Sequence, residues 1–145
     1  MIKTTISSDD ELERIQKDIL ADSKKVLYLA MNKMMNLAVA YAPVDTGMLK
    51  NSITLTPSKP GSDVYDLTDG VDYGIHVEYG TKPHFVPIAP LKLWAKRKFG
   101  EESIGYAIRA VISKRGMQEH PFFRPALHEV KIVWLPAYEK QLNKV

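Results

Sequence analysis

A chain of 145 residues, 45% hydrophobic and 26% charged, fits one domain over residues 1–145 and excludes wholesale disorder. The absence of cysteine excludes disulfides, thiol catalysis and thiolate metal sites. Neither an apolar run near the roughly 18 residues of a membrane span nor a charged-then-apolar leader is present. The net charge of +3 is too small to argue for nucleic acid by itself, but it is unevenly placed. Residues 42–90 carry three basic and six acidic side chains, and residues 91–116 carry seven basic and two acidic. The plain account is an unevenly charged, solvated surface; the sharper one is two patches that meet between neighbouring subunits or on a partner.

Residues 1–41 hold one long amphipathic helix of about 33 residues, opening at Ser8. Ser8 with Glu11 fits a capping box, and Asp9 and Asp10 favour the positive end of the helix dipole. Leu12, Ile15, Ile19, Val26, Ala30, Met34, Leu37 and Tyr41 then follow steps of three and four, with a gap at Ser23. At about 50 Å the helix exceeds the diameter of a small domain. Part of it is therefore expected to project from its own sheet or to meet another subunit. Met31, Met34 and Met35 suit an adaptable packing surface.

Pro43 ends the helix, having no N–H to donate and biasing Ala42 away from the α region. Asp45-Thr46-Gly47 reads as a turn. Residues 52–58 read as a strand, with Ile53 and Leu55 alternating against Ser52, Thr54 and Thr56, and Pro57, Pro60 and Gly61 mark the turn after it. Residues 63–67 form a second strand, with Val64 and Leu67 inward. Asp69-Gly70 is a turn signal that lets residues 71–73 pair back. Tyr73, Ile75, Val77 and Tyr79 alternate as in a strand, while Tyr73 and Val77 are also an i, i+4 pair, so residues 73–79 fit a strand or a short helical turn.

Residues 84–116 read as an inserted helical hairpin. Pro87 and Pro90 bound a loop. Residues 91–99 form a first helix with Leu91, Trp94 and Lys98 or Phe99 along one side, closed by Gly100. Residues 102–114 form a second, striped by Ile104, Ala107, Ile108, Val111 and Ile112, with Gly116 at a plausible C′ position. Residues 117–123 are extended, and Phe122 or Phe123 anchors them. Pro125 fits the first position of a last helix striped by Ala126, Leu127, Val130, Val133 and Trp134. Pro136 kinks or restarts that helix, and residues after Lys140 fray.

The sequence offers little catalytic chemistry. His76 and Glu78 would point the same way on a strand but give at most two metal ligands, with His84, His120 and His128 dispersed. Asp63, Asp66, Asp69 and Asp72 suit turns better than a carboxylate cluster. No glycine-rich phosphate loop or nucleophile elbow is present, so an enzyme is not expected. Lys92, Trp94, Lys96, Arg97, Lys98, Phe99, Tyr106, Arg109, Lys114 and Arg115 mix basic and aromatic residues. They either pack a hairpin with its charges in water or touch a nucleic-acid backbone. Of these, Lys92, Lys96, Arg97, Lys98 and Arg109 are the candidate interface residues.

Three stretches carry a resemblance: Ala-Pro-Val-Asp-Thr-Gly-x-Leu-x-x-Ser-Ile at 42–53, Tyr73-Gly-Ile-His-Val-Glu-Tyr-Gly-Thr81, and His120-Pro-Phe-Phe-Arg-Pro-Ala126. In this order they resemble the small tail-component proteins of tailed phages (siphophages), also described as head–tail joining, neck or tail-completion proteins. The resemblance covers roughly residues 30–135. It implies an α+β fold, a long N-terminal helix packed on a small antiparallel β-sheet, to which the chain adds the inserted helical hairpin and the C-terminal helix. It implies a structural virion protein without cofactor, metal or membrane. Such a protein forms a ring of about six or twelve copies at the neck or tail end. Its neighbours would be a head-side connector or adaptor and the tail terminator or tail-tube proteins, with DNA passing through the lumen unread. It would reside in the virion, and in the host cytoplasm during assembly. The alternative is a nucleic-acid-binding module acting through the basic hairpin.

Carried over by position, the family's motif residues are Pro43, Asp45, Thr46, Gly47, Leu49, Ser52 and Ile53, then Tyr73, Val77, Glu78, Tyr79, Gly80 and Thr81, then Pro121, Phe122, Arg124, Pro125 and Ala126. Tyr79 and Phe122 are expected as packed anchors, Gly47 and Gly80 as tight turns, and Glu78 and Arg124 as a pair within or between subunits. Gly74 stands where the family often has alanine, which is expected to loosen that segment.

Overall fold

The computed structural model describes residues 8–142, with side chains from Leu12 to Gln141. The capping box expected of Ser8 and Glu11 lies outside the described side chains. Helix α1 runs from Ser8 to Tyr41 without a proline or glycine inside it. It stops where Pro43 cannot continue the ladder, with the Ala42 N–H still bonded to the Ala38 carbonyl at 2.9 Å. Its two halves differ. Residues 12–25 are exposed on every side, whereas Ala30, Ala38 and Ala42 are buried.

The turn at 43–47 leads into α2, Met48–Ser52, with Gly47 before it at φ 85°. This five-residue helix replaces the start of the strand expected from Ser52. The Ser52 hydroxyl donates to the Leu49 carbonyl at 2.8 Å, and Leu49 and Ile53 both turn into the core. Strands β1, Thr54–Pro57, and β2, Tyr65–Thr68, then pair antiparallel with Leu55 opposite Leu67. Leu67 packs on the core, but Val64 is 61% exposed rather than inward, because it precedes the ladder. The ribbon lies along α1, joined by the Tyr28–Tyr65 ring contact at 5.7 Å and the Lys24–Asp63 ion pair at 3.0 Å. The fold is α+β.

Residues 71–73 do not pair back. The Gly74 N–H bonds to the Val71 carbonyl, and α3 follows at Gly74–Tyr79, so the short-helix alternative holds for that segment. Gly74 is buried beside the Asp69 carboxylate, and an alanine Cβ there would require that side chain to move. Helices α4, Ile88–Phe99, and α5, Ile104–Arg115, pack on each other as a hairpin. Pro87 caps α4 and Pro90 lies in its first turn, not in a loop, since a proline there forfeits no intrahelical bond. The crossing uses small residues: Ala95 is fully buried and Gly105 abuts the backbone at Leu91 and Lys92. Along the expected α5 stripe, Ile112 is buried and Ile104 and Ile108 half-buried, while Ala107 and Val111 face solvent.

Helix α6, Phe123–Glu129, packs against α1, with Ala38 and Ala126 both wholly buried, small enough for close approach. Pro125 is its third residue, not its first. A π-helical segment, Val130–Trp134, and α7, Leu135–Leu142, complete the chain. An α-helical register would press the Pro136 ring against the Ile132 carbonyl; instead the Leu135 N–H reaches back five residues to Val130. The helix continues to Leu142, two residues beyond the expected fraying point. The core is small: Ala38, Ala42, Leu49, Ile53, Phe122 and Ala126, with Phe122 its largest fully buried side chain.

Candidate functional site

The three sequence motifs converge around one carboxylate. Helix α3 turns Glu78 inward, where it is 4% exposed. Its Oε2 accepts the backbone N–H groups of Phe122 at 2.7 Å and Phe123 at 2.9 Å. Its Oε1 accepts the Arg124 N–H at 2.9 Å and the Arg124 Nε at 3.1 Å. Glu78 thus serves the unpaired donors at the start of α6 from another element, doing what an N-cap does locally. Burial pushes its pKa up, but the three backbone donors and the Arg124 guanidinium together outweigh this and hold it below the ordinary 4.5. Arg124 also donates to the Glu78 carbonyl at 2.6 Å and pairs with Glu119 at 2.7 Å. The pair therefore forms within one chain.

Phe122 is the packed anchor, with Phe123 against it at 4.5 Å between ring centroids. Tyr79 is not an anchor. It is 62% exposed, and its ring lies under the Arg124 guanidinium at 4.8 Å. On a strand Tyr79 would share the face of Tyr73 and Val77 with Glu78 turned away; on the helix Glu78 takes the inward face and Tyr79 is rotated about 100° from it. The same rotation separates His76 from Glu78, and among the described residues no group of three or more potential metal ligands forms.

The second motif also closes the stem of the hairpin. Thr81 and Met117 exchange backbone hydrogen bonds of 3.0 and 3.2 Å in an isolated antiparallel bridge. Gly80 (φ 69°, ψ −173°) and Gly116 (φ 79°, ψ −169°) flank it in a region open essentially to glycine alone. At the far end, the first motif holds the hairpin down. Arg97 donates to Asp45 through Nη2 at 2.5 Å and Nε at 3.3 Å, and Lys98 Nζ donates to the Val44 carbonyl at 3.1 Å. The Arg97 hydrogen bond holds the Asp45 carboxyl below its ordinary range.

The candidate interface cations are thus engaged within the chain. Lys92 and Lys96 both meet Glu102, and Arg109 lies 5.4 Å from the Phe85 ring centroid and 5.7 Å from that of Tyr106. Between stem and latch the hairpin stands off the body, leaving a groove of about 990 Å³ that Pro43, Tyr73, Val77 and Trp94 help to line. Pro121 and Pro125 are half-buried and line a second, shallower pocket with Arg124 and Tyr41. The Asp45–Arg97 latch was not legible in the sequence, because its partners are 52 residues apart and only their opposite charge hints at it. The same holds for the Tyr41 hydroxyl, which donates to Glu129 and ties α1 to α6.

Among the described residues no helix is long and apolar enough to cross a membrane. Comparison with the curated proteins and with the solved structures returns no match. A family model described as "Bacteriophage HK97-gp10, putative tail-component" matches residues 8–80. That span takes in all of α1, the first motif, the second as far as Gly80, and α3, and stops where the hairpin stem begins. It includes the part of α1 before Ala30, which carried no signal of its own, and leaves the third motif outside. With half the chain matched, from the long helix to the glycine that opens the hairpin, the protein belongs to the HK97-gp10-like family of bacteriophage tail components.

Proposed function

We propose that this tail component works by self-association into a closed ring at the head–tail junction or tail end, joining or completing the tail. The observation that carries this reading is unpaid apolar surface. The accessible area is 10950 Å² for 16.4 kDa, against about 7500 Å² for a compact monomer of that mass. Twenty-two large hydrophobic side chains stand exposed among the described residues, beside ten buried hydrophobic residues of which five are alanine. Apolar side chains exposed in this number, against so small a core, suit a surface that is covered in an assembly. In the ring, the neighbours are a head-side connector or adaptor and the tail terminator or tube, and DNA passes through the lumen without sequence readout.

Quantitative peptide mass spectrometry on purified particles tests this. A small fixed copy number, about six or twelve for a closed ring, is expected relative to the capsid protein; absence from particles refutes it. A nucleic-acid-binding role through the hairpin draws less support, since Lys92, Lys96 and Arg97 are already paired with Glu102 and Asp45. That role predicts duplex binding by the free chain that weakens steeply with salt. The internal pairs also mean that reversing the charges of Lys96, Arg97 and Lys98 would unseat the hairpin as well as alter its surface.

A further inference from the structure

Two unpartnered features of the chain complement each other. The first is the free half of α1. Leu12, Ile15 and Ile19, spaced three and four residues apart, are 55%, 48% and 61% exposed, and Leu20 beside them is 55% exposed. This is the spacing of an amphipathic helix that lays its apolar face into a groove. Residues 12–20 are balanced, with Glu13 and Asp18 against Arg14 and Lys17, and the acidic excess lies at the start of the helix in Asp9, Asp10 and Glu11. The second is the groove between the hairpin and the body. Val44, Met48 and Met117 stand at its mouth, 51%, 60% and 40% exposed, with Leu91 and Trp94 behind them. Lys82, Arg97 and Lys98 lie along it; the carboxylate there, Asp45, is engaged by Arg97.

A chain cannot fill its own groove. Pro43 lies on the groove at the C-terminal end of α1, and Ile19 is 24 residues earlier on the same unbroken helix. The separation is therefore about 36 Å along a rigid rod.

We infer that the free half of α1 from one copy seats in the apolar, basic-edged groove of the next copy. The inference rests on the self-association reading and names its contact. The apolar stripe supplies the buried area, and the acidic start of the helix against Lys82 and Lys98 supplies orientation and on-rate. The contact is heterologous: each copy offers a helix to one neighbour and a groove to the other. Such a contact closes into a ring or runs on as a filament, according to the rotation between copies.

The cysteine-free sequence makes the test direct. Ile19→Cys and Met48→Cys both alter exposed side chains, so the melting temperature should not move. When the two single variants are mixed under mild oxidation, the Ile19–Met48 cross-link should exceed the Ile19–Ile19 product at least tenfold. It should equally exceed the product with an exposed control, Lys131→Cys. A chain carrying both substitutions should give a ladder of multimers. Adding Ile15→Glu should remove the cross-link, and raising the salt should slow its formation.

A dominant Ile19–Ile19 product would overturn the inference in favour of a symmetric helix pair. Yields no higher than the control at millimolar protein would overturn it outright. Particles that hold the chain at fixed copy number but lack the Ile19–Met48 cross-link refute this contact and leave the tail reading standing. Particles without the chain refute that reading itself.

Discussion

Glu78 is the residue on which three segments depend. Its removal strands three backbone donors at the start of α6 and leaves Arg124 with one carboxylate partner, Glu119. Glu78→Ala is expected to cost about 3 kcal/mol in urea unfolding, as when one partner of a buried, hydrogen-bonded charge is deleted. Because the folded pKa of Glu78 lies below the unfolded value of 4.5, its contribution is complete above that pH. It is lost as pH falls through the lower, folded value. The acid slope of stability should therefore flatten in Glu78→Gln, measured by denaturant titrations between neutral pH and the acid transition. Phe122→Ala should cost about 3–5 kcal/mol by calorimetry, since its ring is wholly buried in a core otherwise built of small and medium side chains. The second motif marked Glu78 and the third marked Arg124, yet their pairing spans 46 residues. Local pattern carries no information on such a contact.

At the scale of elements, the hairpin is an appendage held at two points. Gly116→Ala should cost at least about 1–3 kcal/mol from its backbone angles alone, and its Cβ would collide with the Thr81 carbonyl. Hydrogen exchange should show the Thr81 and Met117 amides losing protection while those of α1 and α6 keep theirs. Asp45→Asn should release the other end. Proteolysis within residues 82–87 should then become faster, with little change in the global transition. The same release should follow acidification of the unaltered chain through the depressed pKa of Asp45. The helices of the hairpin were legible from their periodicity and their closing glycines. The identity of residues 73–79 was not. Seven residues with alternating apolar side chains fit either period, and the helix brings Gly74 and Glu78 inside together, four residues apart on one face. Strand β1 likewise begins later than alternation suggests, because Leu49 and Ile53 reach the same core from one turn of helix.

For the whole molecule, surface rather than core sets the behaviour. The apolar residues of the free half of α1 contribute little to the stability of a single copy, since they remain in water. Ile15→Glu combined with Ile19→Glu should leave the unfolding free energy within about 0.5 kcal/mol per site. The same change should make the protein monomeric in sedimentation and abolish its incorporation into particles. A substitution that is silent for folding and lethal for assembly separates the two kinds of apolar residue on one continuous helix.

The sequence by itself determined the long helix, its end at Pro43, the ribbon, the two helices of the hairpin and the family. All of these are written in local periodicity, in proline and glycine, and in motifs that recur in order. Only the tertiary structure decided that Glu78 caps α6, that Arg97 latches the hairpin to Asp45, and that Tyr79 lies outside. These depend on which distant residues the folded backbone brings within hydrogen-bonding reach. Charge and hydropathy along the chain specify the kind of partner each residue needs, and the packing of α1 against α6 selects which partner it meets.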